Sequence, residues 1–257
     1  MLILTSPAKT LNQEKGKEFP VNTEPKFKKE ALQLVRILKK KKLDELKQLM
    51  SISDKLAIEN FNRYKTFQKT FSTEHANPAI FAFQGDVYVG LEVDSLSDEQ
   101  IKYAQDRIRI LSGLYGILRP LDLMQPYRLE MGTNLINSKG KNLYEFWGTK
   151  ITRALNQDIK EFGHNYVINL ASNEYFKAIQ KNKLKAQLLT ANFKEFRNGE
   201  LKFISFNAKK ARGMMMHYIV SNNIDNIEAL KGFDYDGYTY NMDFSTESEF
   251  IFTREAM

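Results

Sequence analysis

Cysteine is absent from all 257 residues, which excludes disulfides, zinc–thiolate sites, iron–sulfur clusters and thiol peroxidase chemistry together. Histidine is scarce: His75, His164 and His217 lie far apart with no ligand spacing, so neither a metal site nor a cofactor is expected. Long apolar runs are missing too. Leu2-Ile3-Leu4 stops at Thr5, too short for the core of a signal peptide, and no later run could span a bilayer. A cytoplasmic, monomeric protein without a membrane partner is therefore expected. No Gly-x-x-x-x-Gly-Lys loop, internal repeat, low-complexity segment or Gly/Ser linker occurs.

What is present suffices for a sizeable core, since 42% of residues are hydrophobic. The net charge of +7 is concentrated: nine basic residues face three acidic ones between Lys26 and Lys47. That makes a basic patch on an otherwise balanced chain.

Periodicity gives the elements. Leu2 to Leu4 reads as a short buried strand, followed by a polar loop to about Pro25. Phe27, Ala31, Leu34, Val35 and Leu38 form one face of a helix, and the Lys39 to Lys42 run marks a turn. Leu43 to Met50 suggests a second helix, with a third capped by Ser53. Ser97 and Gln100 form a capping-box pattern for a helix whose stripe runs Ile101, Ala104, Ile108, Leu111, stopping at Gly113. Another helix should start at Asn142 and run through Leu155. Tyr166 to Leu170 reads as a strand turning through Ser172 into a helix. Asn198-Gly199 predicts a hairpin joining Gln187–Arg197 to Glu200–Phe206, followed by a helix from about Ala208 to Val220 and two strands between Tyr238 and Thr253. The whole reads as one α+β domain, 1–257, with a mixed β-sheet flanked by helices and no regular βα alternation.

Three segments carry chemistry-bearing residues. In Ser6-Pro7-Ala8-Lys9-Thr10 a strand hands over to a hydroxyl and a lysine, either a phosphate cradle or, on these residues alone, a turn with a surface lysine. Between Arg107 and Gly132, Arg107, Arg109, Arg119 and Arg128 interleave with Tyr115, Tyr127 and glycines. Such a mixture suits phosphate contacts and base stacking, with structural turns and scattered arginines as the alternative. Gly113-Leu114-Tyr115-Gly116 after a helix suggests a helix-hairpin-helix-like element. Lys209-Lys210-Ala211-Arg212-Gly213 puts three cations at an expected helix start, where they oppose the helix dipole unless an anion docks there. Met214 to Met216 read as packing residues. Asp122, Glu130 and Glu174 are candidates for acid–base chemistry, but no nucleophile accompanies them.

These same segments resemble the YaaA family of bacterial peroxide-stress proteins. The resemblance runs in order through Ser6-Pro7-Ala8-Lys9-Thr10-Leu11, Leu49-Met50-Ser51-Ile52-Ser53, Gly85-Asp86-Val87-Tyr88, Leu111 to Gly116, Leu118-Arg119-Pro120-Leu121-Asp122 and Pro126 to Gly132. It continues through Asn169-Leu170-Ala171-Ser172 with Glu174-Tyr175, and through Lys209 to Gly213. It implies a cytosolic protein that limits damage from unincorporated iron during hydrogen peroxide stress and binds DNA in a basic cleft. A mixed fold with a helix-hairpin-helix-like element is implied as well. The favoured class is a binder of double-stranded DNA with little sequence preference, using Lys9, Arg107, Arg109, Tyr115, Arg119, Tyr127, Arg128, Lys209, Lys210 and Arg212. The alternative is an enzyme acting on a nucleotide or nucleic-acid base through the same basic pocket and one of the three carboxylates. Direct iron binding is disfavoured by the missing cysteines and dispersed histidines.

Overall fold

Leu2–Thr5 bury every side chain and form β1, the strand around which the sheet is arranged. The computed structural model describes residues 1–12 and 19–256; the part of the polar loop at 13–18 lies outside them. After β1 come β2 (Thr10–Leu11), α1 (Lys28–Leu38), α2 (Leu43–Met50) and α3 (Asp54–Thr66). Next are β3 (Asn77–Pro78), α4 (Ala79–Ala82), β4 (Phe83–Gln84), α5 (Asp86–Leu91) and α6 (Asp98–Arg107). The middle of the chain holds β5 (Ile108–Ser112), β6 (Gly116–Leu118), β7 (Leu123–Met124), α7 (Leu143–Trp147) and α8 (Lys150–Glu161). Then follow β8 (Tyr166–Asn169), α9 (Asn173–Phe176), β9 (Gln187–Arg197), β10 (Glu200–Lys202), α10 (Ser205–Ser221), β11 (Thr239–Tyr240) and β12 (Glu249–Glu255).

Local chemistry sets several boundaries. The Ser97 hydroxyl accepts from Gln100 N at 3.3 Å while Gln100 Oε1 accepts from Ser97 N at 2.8 Å, completing the capping box of α6. Ser53 caps α3 through Leu56 N, and Asn142 caps α7 through Glu145 N. Asn198 and Gly199 both take positive φ, as the two-residue hairpin requires.

The main sheet runs β11-β12-β9-β8-β1-β5-β6, with β10 on β9. The pairs β12/β9, β9/β8, β8/β1 and β1/β5 are parallel, while β11, β6 and β10 pair antiparallel. The chain thus forms the expected α+β mixture with a mixed sheet, but its centre is parallel and fully covered. Leu2, Ile3, Leu4, Val167 and Ile168 are all wholly buried, the pattern of strands with helices on both faces.

Three boundaries depart from the periodicity. The helix expected to reach Leu111 stops at Arg107, because Ile108–Ser112, buried throughout, pair with β1 as a strand. Apolar residues at helical spacing can equally fill a two-faced buried strand. The helix expected from Asn142 to Leu155 is two, broken at Gly148, where φ is +50°. The hairpin's second strand ends at Lys202, and the following helix begins at Ser205 rather than Ala208.

The helix-hairpin-helix expectation is corrected here. Gly113 to Gly116 joins two antiparallel strands, with Ser112 opposite Gly116. A Cβ on Gly113 would come within 2.2 Å of Leu129 O. That glycine therefore lets the Leu129–Glu130 backbone cross over the end of β5.

Candidate functional site

The chain leaving β1 runs through α1–α6 to β5 on one side, whereas the chain leaving β8 runs through α9 to β9 on the other. The connections leaving the carboxyl ends of β1 and β8 therefore diverge. Such a topological switch point is where open parallel sheets take their ligands. Ser6 follows β1 and Ser172 follows Asn169 at the end of β8. Ser172 N donates to Ser6 Oγ at 2.9 Å, and the two hydroxyls lie 3.3 Å apart.

Three buried tyrosines brace this end of the sheet. Tyr88, from α5, donates its hydroxyl to Ser6 O at 3.2 Å. Tyr127 shares a 2.6 Å hydrogen bond with Ser112 Oγ at the end of β5. Tyr64, from α3, donates to the carbonyl of Arg128. Burial pushes all three phenols up, and electrostatic repulsion from Glu130 adds to the shift of Tyr64 and Tyr127. All three stay neutral, and Tyr64 and Tyr88 act as donors.

Glu130 lies between two cations, 3.0 Å from Arg128 Nη2 and 3.6 Å from Lys9 Nζ. Arg128 and Glu130 each expose 15% of their side chain, so the pair is largely desolvated. Glu174 sits at the rim, accepting from Gly132 N at 2.9 Å. Arg63, on α3, is near enough to Arg128 for their repulsion to add to the lowering that burial imposes on Arg63.

A sequence model of the peroxide stress protein YaaA family matches residues 1–244. The chain belongs to that family. It is 50% identical over 255 residues to a UPF0246 protein of Saccharophagus degradans, covering 99% of this chain and all of that protein. A UPF0246 protein of Hahella chejuensis is 51% identical with the same coverage, and one of Aliivibrio fischeri is 49% identical over 99% of this chain and 98% of the relative.

In this YaaA-family chain the residues singled out from sequence fall into separate places. Lys9, Arg128, Glu130 and Glu174 gather at the crevice. Arg109 has no exposure and pairs with Asp158 at 2.6 Å, so it cannot meet a phosphate. Tyr115 and Tyr127 are core residues, packed edge to face with centroids 5.2 Å apart, and offer no stacking surface. Arg107 stacks 3.7 Å from the Tyr103 ring, near the Met1 amino group at the opposite end of β1. Arg119 lies 3.6 Å from Asp122, a buried carboxylate that also takes the Thr23 hydroxyl at 2.5 Å; burial raises the Asp122 pKa.

On α10, Lys209 is exposed, Lys210 approaches Asp236 at 3.9 Å, and Arg212 is half-buried 5.9 Å from the Phe203 ring. Burial lowers the Arg212 pKa, and among the described residues no anion offsets it and its Nε has no acceptor. Because α10 starts at Ser205, these cations lie beyond its first turn, where the helix dipole has faded. Sequence reasoning missed Ser172, Tyr64 and Arg63 as site residues. The hydroxyl of Ser172 signals nothing until β8 is known to lie beside β1.

Proposed function

We propose that this YaaA-family protein serves the peroxide stress response by acting on a nucleotide or nucleic-acid base in the crevice between β1 and β8. Glu130 is the proton-transfer group, and Lys9 and Arg128 hold the anionic part of the ligand. The observation that carries this reading is the largely buried Arg128–Glu130 pair at the switch point, with the exposed Lys9 beside it. A carboxylate placed between the two cations that would hold the ligand's anionic part is positioned to act on a proton of that ligand.

Glu130→Gln tests it. The neutral amide keeps the shape of the side chain and removes the base. Ligand affinity should hold within a few-fold while peroxide survival of a strain lacking the native protein falls to the deletion level. Full survival with a folded Glu130→Gln variant would remove Glu130 from the chemistry.

A second reading is binding of double-stranded DNA with little sequence preference, favoured by Lys209 and Arg212 on α10. One is exposed, and among the described residues the other has neither a neutralising carboxylate nor an acceptor for Nε. Both readings need cations facing an anion. They differ in whether Glu130 matters.

A further inference from the structure

We infer that the β1/β8 crevice is built for a phosphate monoester, carried either by a free nucleotide or by the 5′-phosphate end of a nucleic-acid strand. This rests on the crevice being the functional site and names the group it grips. The case begins with hydrogen-bond accounting. Ser172 N–H is used on Ser6 Oγ, and the Ser6 proton faces Ser172 Oγ at 3.3 Å. Among the described residues the hydroxyl proton of Ser172 then has no acceptor of its own. The two side chains form a short relay that ends in a free O–H donor at the carboxyl end of the central strands.

Other donors at this end are also under-used. Arg128 gives Nη2 to Glu130, and among the described residues its buried Nε has no acceptor. Lys9, 65% exposed, touches Glu130 only at 3.6 Å and can turn toward a ligand. Lys9 and Arg128 bring two cations to this end, against Glu130 between them and Glu174 at the rim. Hydroxyl, guanidinium and ammonium donors together match a tetrahedral dianion with three terminal oxygens. A phosphodiester offers two such oxygens and one charge, and its strand must leave in two directions. A carboxylate is planar and would use fewer of the donors.

The linkage to the rest of the cluster is direct. Tyr88 donates to Ser6 O, Tyr88 and Tyr127 both pack on the Phe83 ring with centroids 5.4 and 6.5 Å away, and Tyr127 immediately precedes Arg128. Lys9 and the hydroxyl relay therefore belong to one wall.

The test measures binding of adenosine and uridine 5′-monophosphates, the two parent nucleosides, and a short single strand with a 5′-phosphate or a 5′-hydroxyl to the full chain. Phosphate-bearing ligands should bind at least about tenfold tighter than their dephosphorylated partners. Ser172→Ala, which keeps the backbone N–H on Ser6, should remove about tenfold of that preference and leave nucleoside binding unchanged. Ser6→Ala should do the same, and melting curves report whether each variant folds; if Ser6→Ala does not, Ser172→Ala decides. Preference for the mononucleotides identifies the free nucleotide as the source, and preference for the phosphorylated strand identifies the strand end.

Equal binding with and without phosphate, or no binding of any of these ligands at roughly millimolar concentration, overturns the inference. The crevice reading fails separately, through wild-type survival of Glu130→Gln. Phosphate preference lost alongside a dead Glu130→Gln would leave that reading intact.

Discussion

A charged or titratable side chain with almost no exposure must find its partners inside the fold, and three residues here do so in different ways. Arg109 uses Nε on Asp158 and Nη1 on the carbonyls of Gln105 and Ile108. Its place in an arginine-rich segment gave no warning, because a lone arginine in an apolar run looks the same whether it points out or in. Glu195, 1% exposed, accepts from Arg197, Asn207, Tyr238 and Arg254. Burial pushes its carboxyl up, but these donors outweigh that and hold it at about 2. His164, 6% exposed, is driven the other way for an imidazole: burial lowers it to about 4, and Nε2 donates to Asp106 O. The signs agree. Above about pH 6.5 His164 is neutral in both folded and unfolded chains. As pH falls toward 4 only the unfolded chain takes the proton, so stability is lost across that window, of order 3 kcal/mol in all. The depressed Glu195 adds a further loss between about pH 4.5 and 2, by the same linkage. Thermal melts from pH 7.5 to 3 should show the upper limb, and His164→Gln should flatten it between pH 6.5 and 4. An unchanged limb in that variant would place the acid sensitivity elsewhere.

At the scale of elements, the tightest constraint is the contact of α5 with α10. A Cβ on Gly213 would fall 1.8 Å from Val87 O and 2.8 Å from Leu91 N, both backbone atoms of α5 that cannot swing aside. Gly213→Ala must therefore push the two helices apart, at about 2–3 kcal/mol, which corresponds to a melting temperature lower by about 5–10 °C. Because α5 also carries Tyr88, whose hydroxyl holds Ser6 O, the same change should weaken ligand binding at a residue far along the chain from the crevice. A variant that melts like the parent would mean that the helices have room to separate. This contact was invisible in the sequence, where Gly213 only closed a basic motif. Caps and turns were legible, since Ser97 with Gln100, Asn142 with Glu145 and Asn198-Gly199 encode their geometry within four residues. The parallel centre was not. Ile108 and Leu111 continue the helical stripe of Ile101 and Ala104, and only pairing with β1, a hundred residues away, makes them a strand. The crevice depends on that pairing, so its serines could be read as residues but not as neighbours.

For the whole molecule, the excess of positive charge is less available than its count suggests. Within the basic stretch, Lys26 pairs with Asp158, Lys28 with Glu24, Lys41 with Glu45 and Lys47 with Asp54. Surface pairs of this kind contribute about 0–1 kcal/mol each and open readily, yet they halve the local field that a polyanion would meet. The cations best placed for DNA are then the exposed Lys209, the unneutralised Arg212 and Lys9 at the crevice. If the chain binds duplex DNA, roughly three to five phosphates would be neutralised. The logarithm of affinity should then fall with the logarithm of salt at a slope of about −3 to −4.5. Lys209→Ala should reduce the slope by about 1 and weaken all sequences alike, because a phosphate contact reads no base. Titration of one duplex at several salt concentrations, parent against variant, supplies both numbers. A slope near zero would leave the basic stretch without a polyanionic partner and concentrate the function in the crevice. A steep slope unchanged by Lys209→Ala would move the DNA surface away from α10.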